Sequence, residues 1–312
     1  MERALVTGGA GFIGSHLVRE MIERKVQVRV LDSLVTGNRA NWGELGEQVE
    51  FYENDILDPG ACQNACENVD AVFHLAALIS VQQSIEAPDR ADNINTGGTL
   101  NMLLAARDQK VKRFVFSSSA AVYGNTEVVP TPEETLPMPL SPYGIQKLTG
   151  EHYARNFFLL YGLETVCLRY FNVYGPRQNP KSEYAAVIPK FITRLLAGEP
   201  VTVFGDGEQT RDFCSVQDVV AANLLAAETT HFAALGNVCN IANGTQTSLN
   251  QLLAQLGQLL GQELQVNYTE ARSGDIRHSS ADIQRARTNL GYTPQVTLET
   301  GLQQTLEYYQ TT

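Results

Sequence analysis

An α/β protein, with a doubly wound parallel sheet followed by a smaller C-terminal α+β lobe, is the fold class this sequence predicts, on three observations. Short β-branched and aromatic runs alternate with amphipathic stretches through the first half of the chain. A glycine-rich turn follows the first of these runs directly. The alternation breaks around Tyr174-Gly175-Pro176-Arg177, after which strands shorten and turn signals such as Phe204-Gly205-Asp206-Gly207 appear. Strands that alternate with helices pair in parallel and are covered on both faces.

The expected strands are ALVTGG, VQVRVLD, VEFYEND, AVFHLA, RFVFSSS and TVCLRYFN. Long helices are expected near 89–107 and 143–161, and further helices near 187–197, 248–260 and 299–309. This divides the chain into a cofactor domain over 1–176, with a return segment near 213–240, and a substrate lobe over 177–312. The sequence carries neither repeats nor low-complexity tracts.

With 312 residues, 43% of them hydrophobic, the chain can bury a substantial core. Its net charge of -11 and lack of a Lys/Arg cluster oppose a nucleic-acid partner. No apolar run approaches the roughly 20 residues that span a bilayer, so no membrane partner is expected. The N-terminal MERALVTGG reads as strand and turn, and a cytoplasmic location is expected. Five scattered cysteines suit reduced thiols. The five histidines make no H-E-x-x-H pattern, and no metal site is expected.

The first strand enters Thr7-Gly8-Gly9-Ala10-Gly11-Phe12-Ile13-Gly14, which satisfies both G-x-x-G-x-x-G (Gly8, Gly11, Gly14) and G-x-G-x-x-G (Gly9, Gly11, Gly14). One glycine turns the chain, one admits a pyrophosphate to backbone N–H groups, and one lets the helix approach the strand. Asp32, at the end of the second strand, suits a ribose 2′-hydroxyl and repels a 2′-phosphate, which favours NAD over NADP. The sheet is therefore expected to be Rossmann-like. Asp55 and Ile56, ending the third strand, are placed near the adenine. Leu75, Ala76, Ala77, Ser117 and Tyr170, at later strand ends, are also assigned to the cofactor.

Among the six lysines, Lys147 alone has a tyrosine, Tyr143, four residues before it. Such a pair shares one helix face, where an ammonium can lower a phenol's pKa toward neutrality. Ser117-Ser118-Ser119 end the fifth strand, at the edge where open parallel sheets bind ligands.

These motifs, together with LRYFNVYGPRQ, GDGEQTRDF and RSGDIRHSSAD, resemble the extended short-chain dehydrogenase/reductases, and within them the UDP-sugar 4-epimerases. The resemblance runs the length of the chain. It implies that Tyr143 is the base acting on the sugar 4-hydroxyl, that Lys147 lowers its pKa and holds the nicotinamide ribose, and that Ser119 bridges to the sugar. A 4-keto sugar would form, turn about its phosphate linkage and be reduced on its other face. Related dehydratases and decarboxylases carry acids before the V-Y-G, where this chain has Ala120-Ala121, and that absence favours simple epimerisation.

The resemblance also places Asn172 on the diphosphate and Arg211, Arg272 and Asp275 around the nucleotide; planar arginine forks suit anionic oxygens. Ala186, Val187, Lys190 and Phe191 are expected in the uridine pocket, and Ser80 and Ser84 near the sugar. Ser279 stands where relatives confined to non-acetylated sugars carry a bulky tyrosine, so room for a 2-acetamido group favours UDP-GlcNAc/UDP-GalNAc, with UDP-glucose/UDP-galactose also accommodated. A homodimer through the two long helices is expected. The alternatives are a UDP-glucuronate 4-epimerase, another sugar-nucleotide oxidoreductase, or a non-catalytic nucleotide-binding protein.

Overall fold

The computed structural model describes residues 1–180, 186–271 and 277–311. Its strands are β1 (Arg3–Thr7), β2 (Gln27–Asp32), β3 (Val49–Glu53), β4 (Ala71–His74), β5 (Arg113–Ser119), β6 (Glu164–Tyr170), β7 (Val173–Tyr174), β8 (Val201–Phe204), β9 (Thr210–Arg211), β10 (Cys214–Ser215), β11 (Asn237–Ile241), β12 (Thr247–Ser248) and β13 (Val266–Thr269). The helices are α1 (Phe12–Glu23), α2 (Pro59–Cys66), α3 (Val81–Glu86), α4 (Pro88–Asp92), α5 (Gly98–Asp108), α6 (Pro142–Tyr161), α7 (Val187–Leu196), α8 (Val216–Glu228), α9 (Leu249–Leu260), α10 (Gln284–Leu290) and α11 (Leu298–Thr311).

Seven strands form a sheet in the order β11-β6-β5-β4-β1-β2-β3, and every neighbouring pair is parallel. The predicted Rossmann-like fold is thus present. Between β1 and β4 the direction of strand succession reverses, opening a ligand crevice at the C-terminal strand ends. The central strands read as continuous apolar runs because both faces are covered. On one face Leu17, Met21 and Val219, from α1 and α8, pack against Val30, Val115 and Val166. On the other, Cys62, Met102, Leu103 and Phe157, from α2, α5 and α6, meet Leu5, Val72 and Phe114. A third core joins α7, α9 and α11 to β8 through Ile188, Ile192, Leu252, Leu256, Leu302 and Val203.

Helix α6 carries the Tyr143/Lys147 pair, and its start and seating are encoded locally. The Ser141 side chain accepts the Gly144 N–H, Pro142 fills the first turn, and Gly162 ends the helix at φ 71°. Gly150 allows the helix to lie directly on β5, since a Cβ there would stand 2.4 Å from the Phe116 ring. The first two turns of α6 consequently sit over the C-terminal end of β5. Among the described residues, no helix is long and apolar enough to cross a membrane.

Candidate active site

The loop between β1 and α1 is shaped by backbone proximity. Gly8 has φ +69°, and a Cβ on Gly14 would stand 2.1 Å from the Gly8 carbonyl oxygen. The N-cap of α1, Gly11, provides no side-chain cap, and the first turn contains no acid. The helix therefore presents its first N–H groups, at Phe12 and Ile13, and the positive end of its dipole to an incoming anion. Asp32 closes the loop from β2, accepting the Ala10 N–H at 2.9 Å and the Leu34 N–H at 2.8 Å. Burial pushes its pKa up, while these two N–H groups oppose the rise. A carboxylate has about four acceptor positions, which leaves capacity for ribose hydroxyls. The cradle fits a dinucleotide: close-packed glycines, an uncapped helix start and an acid at the next strand end.

The other predicted cofactor residues follow the same edge. Leu75 and Ala76 leave β4 with their N–H groups on the Thr7 carbonyl and hydroxyl, and half-buried Ala77 comes next. The Tyr170 hydroxyl, at the end of β6, donates to Asn223 Oδ1 at 3.0 Å. Asp55 accepts the Leu57 N–H at 2.9 Å, and buried Ile56 packs beneath Gly98.

At the end of β5 the serines meet α6. The Ser117 carbonyl accepts a 2.7 Å hydrogen bond from Lys147 Nζ, and the Ser119 side chain, which accepts the Ala121 N–H at 3.1 Å, faces the Tyr143 phenol. Lys147 Nζ lies 5.8 Å from the centre of the Tyr143 ring. Burial lowers the lysine's pKa to about 8, and Glu151 opposes this. Burial raises the phenol's pKa, and the neighbouring Ser119 hydroxyl only partly counters it. In the chain alone the ammonium is turned to the Ser117 carbonyl, and burial is the largest influence on the phenol. Ser80 caps α3 by accepting the Gln83 N–H. Ser84 is fully buried, donates to the Val81 carbonyl and accepts the Tyr143 N–H at 3.1 Å, pinning the start of α6.

Lys147 provides a pH test. Its charged form is disfavoured in the fold, so between about 8 and 10.5 the folded chain binds fewer protons than the unfolded chain. Stability of the cofactor-free protein is expected to rise with pH through that window. An NMR titration of the lysine Cε resonances should find one midpoint near 8, and six ordinary midpoints would contradict this environment.

A cleft of about 360 Å³ opens beside this line and brings together Ser119, Tyr170, Asn172, Arg211 and Ser279. Asn172 is held at φ 30°, a conformation uncommon outside glycine and found at functional sites, with its Nδ2 on the Asp212 carbonyl at 3.2 Å. Arg211 donates through Nη1 to the Thr210 carbonyl at 2.9 Å. Sequence reasoning did not single out Thr126, Thr131 and His278, which also line the cleft; polar residues in loops carry no periodic signal, although His278 adjoins Ser279. Ala186, Val187, Lys190 and Phe191 open α7 and are not part of this lining, and Phe191 is buried in the third core. Arg272 and Asp275 lie outside the described residues. Among the described residues no cluster of His, Cys, Asp and Glu could hold a metal.

Residues 4–242 match the model of the NAD dependent epimerase/dehydratase family. The putative UDP-glucose 4-epimerase of Methanocaldococcus jannaschii is 40% identical over 306 residues, 97% of each chain. A UDP-N-acetylglucosamine 4-epimerase from Methanobrevibacter ruminantium, solved with UDP-N-acetylmuramic acid, superposes with a TM-score of 0.95 at 38% identity, covering 99% of this chain and 98% of that one. The UDP-glucose 4-epimerase of Thermotoga maritima, solved with UDP-glucose, gives 0.93 at 43% identity and covers 99% of both chains.

Proposed function

Because the chain belongs to the NAD dependent epimerase/dehydratase family, its chemistry is read from Ser119, Tyr143 and Lys147, and we propose that it interconverts the C4 epimers of a UDP-hexose through a transient 4-keto sugar. The observation that carries the reading is the meeting of β5 with the Tyr143/Lys147 face of α6, where Lys147 Nζ is bonded to the Ser117 carbonyl and lies 5.8 Å from the centre of the Tyr143 ring, beside a cleft that holds Ser119, Asn172, Arg211 and Ser279. Bound NAD supplies a reversible hydride acceptor. Tyr143 removes the 4-hydroxyl proton and later returns it, Ser119 orients that hydroxyl, and Lys147 keeps a positive charge beside the phenolate. With Ala120 and Ala121 on the cleft wall, no carboxylate stands there to eliminate water or assist decarboxylation.

Asn172 and Arg211 are assigned to the diphosphate, and Asp32 to the ribose of NAD. Residues 1–176 with 213–240 serve the cofactor, and 177–312 the UDP-sugar. We propose a homodimer contact along α5 and α6, of which α6 exposes Ile145, Leu159 and Leu160. Arg177, a candidate partner for a sugar carboxylate, instead donates from Nε to Ser15 Oγ at 3.2 Å and does not line the cleft. This favours a neutral hexose over a glucuronate.

Ser279, small and on the cleft wall, leaves room at the sugar for a 2-acetamido group. Turnover of UDP-GlcNAc is the expected result, with UDP-glucose accepted as well. Ser279→Tyr should selectively remove activity on the acetamido sugar, by about 10-fold or more if contacts worth about 1.4 kcal/mol are lost, while sparing UDP-glucose. Equal loss on both sugars would contradict the pocket assignment.

A further inference from the structure

The roles of Tyr143 and Lys147 leave one buried charge pair unused. Glu151 lies one turn beyond Lys147 on α6, 5% exposed. Its carboxylate accepts Ser118 Oγ at 2.5 Å and Arg169 Nε and Nη2 at 2.8 and 2.7 Å. Ser118 on β5 and Arg169 on β6 are direct register partners, so one carboxylate clamps two strands to the helix. Buried ion pairs of this kind are often no more stabilising than a well-packed apolar replacement.

Tyr143, Lys147 and Glu151 are spaced by four residues and share one face of α6. Three consecutive serines of β5 meet that face: Ser119 faces Tyr143, the Ser117 carbonyl holds Lys147, and Ser118 holds Glu151. We propose that Glu151 is a positioning residue for the proton transfer: clamped by Ser118 and Arg169, it fixes the Tyr143/Lys147 face on β5 and sets a carboxylate one turn from the Lys147 ammonium.

The groups facing Lys147 from the packed elements support this. On β4, His74 is bonded to the Thr7 and Thr99 hydroxyls and is held neutral, its pKa lowered to about 3 by burial and by Lys147. β5 offers the Phe116 ring at 5.1 Å and the Ser117 carbonyl. On β6, burial raises the pKa values of Cys167 and Tyr170, which stay neutral, and Arg169 is a cation. On α6 stand Tyr143 and Glu151. Of these groups Glu151 is the one carboxyl group.

The proposal rests on the UDP-hexose reading only for its activity readout. The test compares Glu151→Gln, Arg169→Met and the double variant as NAD-loaded proteins, following kcat against pH and the Lys147 titration by NMR. Removing the carboxylate weakens Lys147's hold on its proton, so in E151Q the midpoint and the alkaline limb of kcat move to lower pH, by about one unit. R169M leaves the carboxylate unopposed and moves both to higher pH. KM for the UDP-sugar stays unchanged, because neither residue lines the cleft. Mere loss of packing would lower kcat alike at every pH and would not give opposite shifts.

Should neither single variant fold, E151Q/R169M removes both members of the ion pair and should still shift to lower pH, by less than E151Q alone, since the cation that opposes the carboxylate's effect on Lys147 is removed with it. Ser118→Ala keeps both charges and should lower kcat several-fold without moving the limb. Shifts of the same sign in both single variants, an unmoved Lys147 midpoint in E151Q or the double variant, or an unaltered kcat in S118A would overturn the proposal. The titration needs no turnover, so failure of the epimerase reading would show separately, as a wild-type chain inactive on every UDP-hexose.

Discussion

Replacing Tyr143 with phenylalanine is expected to lower epimerisation by about 10²–10⁴-fold, the range for losing a positioned general acid/base, while NAD binding persists. The substitution keeps the ring that packs at the start of α6 and deletes only the hydroxyl, which faces Ser119. The backbone N–H of Tyr143 still reaches Ser84 Oγ, so the helix start should not move. The cofactor cradle is built from other residues: the glycine loop, the first turn of α1 and Asp32. Steady-state kinetics together with NAD binding by fluorescence would separate chemistry from affinity. Turnover comparable to the unsubstituted protein would remove Tyr143 from the reaction, and a parallel loss of NAD binding would mean that the change had disturbed the fold.

Gly14→Ala should have the largest effect on the cofactor side. The added Cβ would lie 2.1 Å from the Gly8 carbonyl oxygen and 2.8 Å from Gly9 Cα, both backbone atoms that no rotamer change can move aside. Either α1 lifts from β1 or the glycine loop shifts, and overpacking of this kind costs about 1–3 kcal/mol. Because the displaced groups are those that cradle the diphosphate, about one to two decades of NAD affinity should be lost as well. Calorimetric titration with NAD and a thermal melt of the cofactor-free variant measure the two parts. Unchanged NAD affinity would show that the loop does not form the diphosphate site.

How much of this was legible beforehand follows from which signals are local. The six predicted strand runs correspond to β1 to β6; the central ones were legible because a strand covered on both faces is mostly apolar and leaves a continuous run, and the edge strand β3 because Val49, Phe51 and Tyr52 are β-branched or aromatic. The glycine loop and the Tyr143/Lys147 spacing were legible because each depends on residues close in sequence. Glu151 was not. A glutamate in a helix reads as a solvated charge, and only the packing of β6 shows that Arg169 meets it in the interior. The pairing of β11 with β6 is similarly invisible locally, since about seventy residues separate Leu168 from its partner Cys239.

The direction of the Tyr143 pKa shift also depended on three dimensions. Spacing places the ammonium and the phenol on one face, but the Ser117 carbonyl holds Lys147 Nζ and burial governs the phenol. An added positive charge, as an oxidised nicotinamide would bring, is what the site needs for Tyr143 to act as a base near neutrality.

The central claim is epimerisation without net oxidation, and NMR of the purified protein with NAD and UDP-glucose or UDP-GlcNAc tests it most directly. The account predicts that the C4 epimer of each sugar appears and approaches equilibrium, with no accumulating NADH and no other product. Stoichiometric NADH with a persistent keto sugar, or an unchanged spectrum with both substrates, would contradict it.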